Sequence, residues 1–302
     1  MGKTMSPRAR VSWAVLLLVL ALQQASAQEL PQESGLPAYL RDRGTGVPAS
    51  IFGTYIRRGQ LLVYPFFEYA LDNNREYQPF EFGLGPGVDF RAKFHSYAGQ
   101  IFVGYGVTDW LAIELEGSYL SAHFEKSPQD TFATPAVIKE SGIADIEAHI
   151  RARLLKESEG RPEVFSSLEI TPPTQRHKLL IAEPDFDVKP GVGLIKGFSW
   201  GTLTTRIFAE YNHKESKVDL GEFSLEYLRR VSPTLRVFLS FEGGETGALD
   251  EWELVHGLQW QISKSVLFKL DNSIGITSKA NDWTPQFGLM YSYQSLGSTE
   301  SR

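Results

Sequence analysis

The chain has no cysteine among its 302 residues. Disulfides, thiol catalysis and zinc–thiolate sites are therefore excluded. Beyond residue 22 no stretch approaches the roughly 18 consecutive apolar residues of a transmembrane helix. Clustered positive charge is also missing. The sequence carries 30 Lys and Arg against 36 Asp and Glu, and nucleic acid, which attracts basic patches, is not an expected partner. The six histidines (His95, His123, His149, His177, His213 and His256) are far apart in sequence and show no metal-ligand spacing. No nucleophile–base–orienter set can be named from spacing, so no catalytic residue, metal or cofactor is expected. "GLGPG" (83–87) lacks the strand-to-helix context and the lysine of a phosphate loop and reads as a turn.

What is there begins with an export signal. Lys3, Arg8 and Arg10 precede the twelve-residue apolar core "VSWAVLLLVLAL" (11–22), and "ASA" (25–27) supplies small residues for cleavage before Gln28. The mature chain is then 275 residues, with 27 Lys and Arg against 36 Asp and Glu, a net charge of −9. An exported chain with no transmembrane helix is periplasmic, secreted, or built into the outer membrane as a barrel, because in lipid only helices and closed barrels satisfy every backbone group.

From about residue 60 the sequence has one rhythm. Segments alternate apolar and polar at period two and are separated by Gly, Pro, Asp, Asn or Ser clusters, the pattern of amphipathic strands. Twelve are expected, at about 60–71, 90–105, 110–124, 142–156, 162–172, 185–198, 201–213, 219–230, 234–243, 250–263, 266–277 and 283–293. In "GIADIEAHIRARLLKE" (142–157), Ile146, Ala148, Ile150, Ala152 and Leu154 share one face. Asp145, Glu147, His149, Arg151 and Arg153 share the other. A soluble sandwich also alternates, but its strands average about 5–6 residues, whereas a tilted membrane strand needs about 9–11.

Connections after the second, fourth, sixth, eighth and tenth segments are short; most of the others are longer and more polar. Short turns alternating with long loops suit an outer-membrane barrel, with the turns periplasmic. Trp110, Trp200 and Trp260 fall towards the turn ends, and Trp252 and Trp283 at the loop ends, as two interfacial girdles require. The segment "QFGLMYSY" (286–293) reads polar–x–Gly–x–x–aromatic–x–aromatic through Gln286, Gly288, Tyr291 and Tyr293. This looks like the terminal signal by which outer-membrane barrels meet their assembly machinery. A polar tail, 294–302, follows it.

"LRDRGTGVPASIFGTYIRRGQLLVYPFFEY" (40–69), "IFVGYGVTDWLAIELEGSYL" (101–120) and "SGIADIEAHIRARLLKE" (141–157) together resemble the outer-membrane barrels named after the meta-pathway of phenol degradation. "RPEVFSSLEITPPT" (161–174) looks like that family's following strand. The sequence departs from the pattern at Ala144, where glycine is frequent, and in its tail beyond Tyr293. The resemblance implies an outer-membrane transporter or channel without catalytic residues, and leans towards aromatic or apolar solutes.

The fold expected is all-β: a single transmembrane, antiparallel, up-and-down barrel of about twelve strands over 59–293, in the outer membrane of a Gram-negative-type envelope. Its partners would be lipid, the assembly machinery and a small solute. If apolar faces meet lipid, the lumen is lined by Glu68, Glu114, Glu116, Asp145, Glu147, His149, Arg151, Arg153, Glu169, Lys189, Arg206, Glu210, Glu226, Arg236, Glu242, Glu253, Lys269 and Asp271. Opposite charges there should pair across strands. Twelve strands lie between barrels filled by side chains and barrels with an open channel. Passage of a solute and a salt-bridged, non-conducting scaffold therefore both stay open. So do an outer-membrane lipid hydrolase, with His256 facing outward, and a soluble β-sandwich lectin or adhesin. Residues 28–58 form either a periplasmic leader or a plug. In them "LPAYLRDRG" allows a short helix started by Pro37 and stopped by Gly44, with Arg41, Asp42 and Arg43 able to meet wall carboxylates.

Overall fold

The computed structural model describes residues 36–51, 53–174, 177–181, 186–212, 217–246 and 249–294. The expected signal peptide and the tail from residue 295 lie outside them. The described chain opens with a short 3-10 helix, Ala38–Leu40, and a two-residue hairpin, β1 (Val47–Pro48) and β2 (Tyr55–Ile56). Twelve long strands follow: β3 (Gln60–Tyr77), β4 (Phe90–Gly106), β5 (Leu111–Glu125), β6 (Val137–Leu155), β7 (Glu163–Thr171), β8 (Asp187–Phe198), β9 (Gly201–Asn212), β10 (Lys217–Arg230), β11 (Leu235–Thr246), β12 (Leu249–Ser263), β13 (Val266–Gly275) and β14 (Thr284–Gln294). Each pairs antiparallel with its sequence neighbours, and β14 returns to β3 through Tyr291↔Val63 and Tyr293↔Leu61. The sheet is thus a closed barrel of twelve strands with no free edge.

Closure plus period-two alternation sorts every side chain inward or outward. On β5, Ala112 and Glu114 are buried while Ile113 and Leu115 are exposed. On β6, His149 and Arg151 are buried while Ile146, Ile150 and Leu154 are exposed. Leu225 on β10, Phe241 on β11, Leu270 on β13 and Phe287 on β14 continue the exposed apolar surface around the wall. This inverts a soluble protein, in which charge faces water and oil faces the core. Among the described residues no second layer of protein covers Ile146 or Ile150, and the closed barrel is not a packed sandwich. A bulge in β6 opposite Gly117–Tyr119 moves the inward positions from even to odd numbers: Ile138 is buried before it, Ala144 within it, and His149 and Arg151 after it.

The strands run beyond the expected limits mainly at the loop end. There β3 reaches Tyr77, β6 starts at Val137, and the loops fold onto an aromatic cluster of Tyr77, Phe82, Phe90 and Phe124. The Tyr77 hydroxyl donates to Asp130 Oδ2 at 2.9 Å and accepts from the Ser127 N–H at 3.1 Å, joining two loops. Lys279 Nζ donates to Glu81 Oε1 at 2.9 Å and ties a third loop in.

Candidate functional site in the barrel interior

The interior has three levels. At the turn end, residues 36–58 enter the barrel. Val47, Ala49, Ile51 and Ile56 pack on an inward apolar patch of Leu62, Tyr64, Phe66, Phe102, Ala112 and Met290. Polar anchors surround this contact. The Arg43 guanidinium, 1 % exposed, donates to Glu157 at 2.8 Å and Glu163 at 3.1 Å. Asp42 Oδ1 accepts the Arg230 N–H at 2.9 Å. The Ser50 N–H and hydroxyl both donate to Glu114 Oε2, and Arg206 donates to the Ser50 carbonyl at 3.4 Å. Among the described residues Arg41 meets no wall carboxylate; it donates to the Ser199 carbonyl. Burial pushes the Asp42 carboxyl above its ordinary range, and the Arg230 N–H and the Arg229 and Arg41 charges only partly pull it back.

Two wall glycines make this docking sterically possible. A Cβ on Gly197 would stand 1.8 Å from the Tyr39 carbonyl oxygen, and one on Gly106 would stand 2.0 Å from that of Arg57. Sequence reasoning passed over both. For Gly197 the signal was present, since a glycine inside a strand often marks the close approach of another backbone.

The middle level is a belt of paired charge. Arg151, also 1 % exposed, donates to Glu114 Oε2 at 3.1 Å across β6 and β5. Arg153 lies 3.2 Å from Glu163. Lys189 reaches Asp187 at 3.0 Å, Glu169 at 3.5 Å and Glu210 at 3.9 Å. Arg206 reaches Glu222 at 2.9 Å and Glu242 at 3.8 Å, and Lys269 reaches Asp271 at 3.1 Å. His149 sits between Glu147 and Glu169 at 3.5 and 3.6 Å. These three come from strands paired in register, so the barrel gathers a histidine and two carboxylates although no two histidines share a motif. Glu226 is buried on the same inner surface, and the Asp145 carboxylate accepts from the Thr174 hydroxyl at 3.4 Å. Glu116 stands beside Glu147 in the register of β5 and β6. His213 lies outside the described residues.

Two cavities flank the belt. The one at the turn end, about 430 Å³, is lined by Arg41, Arg43, Arg57, Arg230, Arg236 and Lys264, with no carboxylate among its described lining residues. The one at the loop end, about 390 Å³, is lined by Glu68, Glu222, Glu242, Glu251 and Glu253, with no cation among its described lining residues, although Arg206 holds Glu222 and Glu242 from behind and Arg75 lies 3.4 Å from Glu251. Gln100 and Gln286 donate to Glu68 at 3.4 Å, and the Ser273 hydroxyl donates to Glu253.

Trp110, Trp200, Trp260 and Trp283 are exposed on the outer wall, and Trp252 stacks on Phe241 at 5.1 Å. On β14, Tyr291 and Tyr293 face outward. Gly288 faces inward, where a Cβ would meet Phe66 and Tyr64 within 2.6 Å, and Gln286 reaches Glu68. His256 alternates with the buried Val255 and Gln259 and takes the opposite side of β12. The inward aromatics Tyr64, Phe66, Phe208 and Phe238 are all buried in packing, so none of them lines either cavity.

No family model and no curated protein matches the sequence. Solved structures do match. The COG4313 outer membrane channel from Pseudomonas putida F1 is similar at a TM-score of 0.58 and 15 % identity, over 82 % of this chain and 100 % of that one. The translocator domain of the autotransporter NalP from Neisseria meningitidis aligns at 0.46 and 10 % identity, over 77 % and 88 % of the two chains. The Ralstonia pickettii toluene transporter TbuX aligns at 0.42 and 10 % identity, over 86 % and 98 %. The first of these places the chain in the outer-membrane β-barrel fold.

Proposed function

We propose that the protein is an outer-membrane channel for small solutes whose turn end is closed by its own residues 36–58. The observation that carries this reading is the pair of polar cavities on either side of a charged belt, inside a wall whose outer face is apolar. A barrel that served only as a scaffold would gain nothing from two water-accessible chambers, and the solved channel of the same fold agrees with a passage. The turn end then faces the periplasm and the long loops face the cell exterior. Tyr291 and Tyr293, outward on the closing strand, suit the assembly signal read from residues 286–293.

The meta-pathway resemblance adds a lean towards aromatic or apolar solutes. The chambers themselves favour solutes with polar groups, since charged residues and amides line both.

Liposome swelling tests the function. Reconstituted protein with Arg43→Ala should admit small neutral solutes faster than the unaltered barrel, because the docked segment is released. A salt-bridged, non-conducting scaffold would admit nothing in either form. Unheated samples should migrate faster than boiled ones on a detergent gel, and equal migration would argue against a membrane barrel.

A further inference from the structure

His149 is an unusual buried group. It is 4 % exposed, and neither ring nitrogen makes a hydrogen bond among the described residues. A buried imidazole normally satisfies both nitrogens, and an orphaned polar atom in such a place asks for a ligand. The flanking carboxylate oxygens stand at 3.5 Å (Glu147 to Nε2) and 3.6 Å (Glu169 to Nδ1). Those separations exceed the usual hydrogen-bond range of about 2.7–3.2 Å. An ion takes one imidazole nitrogen, so one of the two separations stands for a ligand–ligand edge, close to the about 3.4 Å on a tetrahedral ion with bonds of about 2.0–2.2 Å, and the other carboxylate has to reach the same nitrogen's side. One ligand atom from each of Glu147, His149 and Glu169 can be taken so that all three lie within 4.8 Å of one another.

The surroundings leave those atoms free for a cation. Lys189 approaches Glu169 through Oε1, whereas Oε2 is the oxygen turned to the imidazole. Arg151 is taken up by Glu114 Oε2. Access exists as well, because the Glu147 side chain is 38 % exposed.

We propose that Glu147, His149 and Glu169 bind a divalent first-row transition-metal ion on the inner wall of the barrel. An imidazole with two carboxylates suits Zn²⁺ and its neighbours, whereas Ca²⁺ and Mg²⁺ take oxygen ligands throughout. Three protein ligands leave a coordination position for water or a passing donor. The site does not depend on the channel reading and can be read in detergent.

The test is calorimetric titration of Zn²⁺ into the full-length protein. One Zn²⁺ per chain should bind at a site that His149→Gln weakens by about tenfold or more, as should Glu169→Gln. A second histidine–carboxylate neighbourhood among the described residues is His123, 3.1 Å from Glu125 and stacked on His95. There, His123→Gln should leave the binding unchanged. If His149→Gln fails to give a heat-modifiable barrel, X-ray absorption at the zinc edge of the unaltered protein decides; a shell of one imidazole and oxygen ligands is expected. The proposal is overturned by no Zn²⁺ binding, by binding that both wall variants leave intact, by loss with His123→Gln instead, or by a shell without exactly one imidazole.

Discussion

The two chambers of the lumen are nearly equal in size and opposite in chemistry. One, about 430 Å³, presents Arg41, Arg43, Arg57, Arg230, Arg236 and Lys264; the other, about 390 Å³, presents Glu68, Glu222, Glu242, Glu251 and Glu253. Between them the belt pairs its charges at contact distance, as Arg151 does with Glu114 and Lys269 with Asp271. Carboxylates outnumber cations in the belt, and two of them, Glu222 and Glu242, held by Arg206, also line the loop-end chamber. A solute crossing from the loop end would meet negative charge first and positive charge last. The difference also marks where the docked segment belongs. Arg41 and Arg43 arrive with it, so part of the positive chamber is carried by the plug rather than by the wall.

The sharpest break in the comparison is Arg43→Ala. It strips Glu157 and Glu163 of the guanidinium they share, and removing one partner of a buried ion cluster costs about 3–5 kcal/mol. The cost falls on docking, so residues 36–58 should become sensitive to added protease while the barrel keeps its heat-modifiable migration. Next comes the wall, common to both chambers. Leu115→Lys, at a side chain 51 % exposed on the outer face, should destabilise the barrel by about 2–4 kcal/mol in lipid unfolding titrations and alter neither chamber.

Smaller effects come from single chamber charges. In the Arg43→Ala background, Glu222→Gln and Arg236→Gln should move the reversal potential in opposite directions. Each shift should be on the order of 1 kcal/mol, or about fivefold in permeability ratio, and should shrink as salt shortens the screening length. The smallest effect is the pH response of docking. Burial raises the Asp42 carboxyl, so docking is favoured by its protonated form. That contribution is complete below the ordinary carboxylate range and is lost as pH rises through the raised value. Protease sensitivity of residues 36–58 should therefore increase on going from acid towards neutral pH, and Asp42→Asn should flatten that dependence.

The strands and their faces were legible because period two is written locally: Ile146, Ile150 and Leu154 against Glu147, His149 and Arg151 needs no knowledge of the rest of the chain. Cross-strand pairing was legible only as a kind of interaction. Arg43 meets its carboxylates 114 and 120 residues away, and no local pattern carries that pairing. The histidine–carboxylate cluster was hidden for the same reason, since His149 meets Glu169 through the register of β6 and β7. Segregation of the chambers was hidden more deeply. It depends on which strand ends are neighbours around the closed wall, as when Glu68 of β3 comes to share a cavity with Glu242 of β11 and Glu253 of β12.

Single-channel recording of Gly197→Ala beside the unaltered protein in planar bilayers bears most directly on a lumen closed from within. The added methyl carbon would lie 1.8 Å from the Tyr39 carbonyl oxygen, so the first turn of the docked segment must leave the wall while the outer face is untouched. Brief or small openings in the unaltered barrel and sustained, larger ones in the variant are the result predicted here. Silence from both, or the same conductance from both, would contradict it.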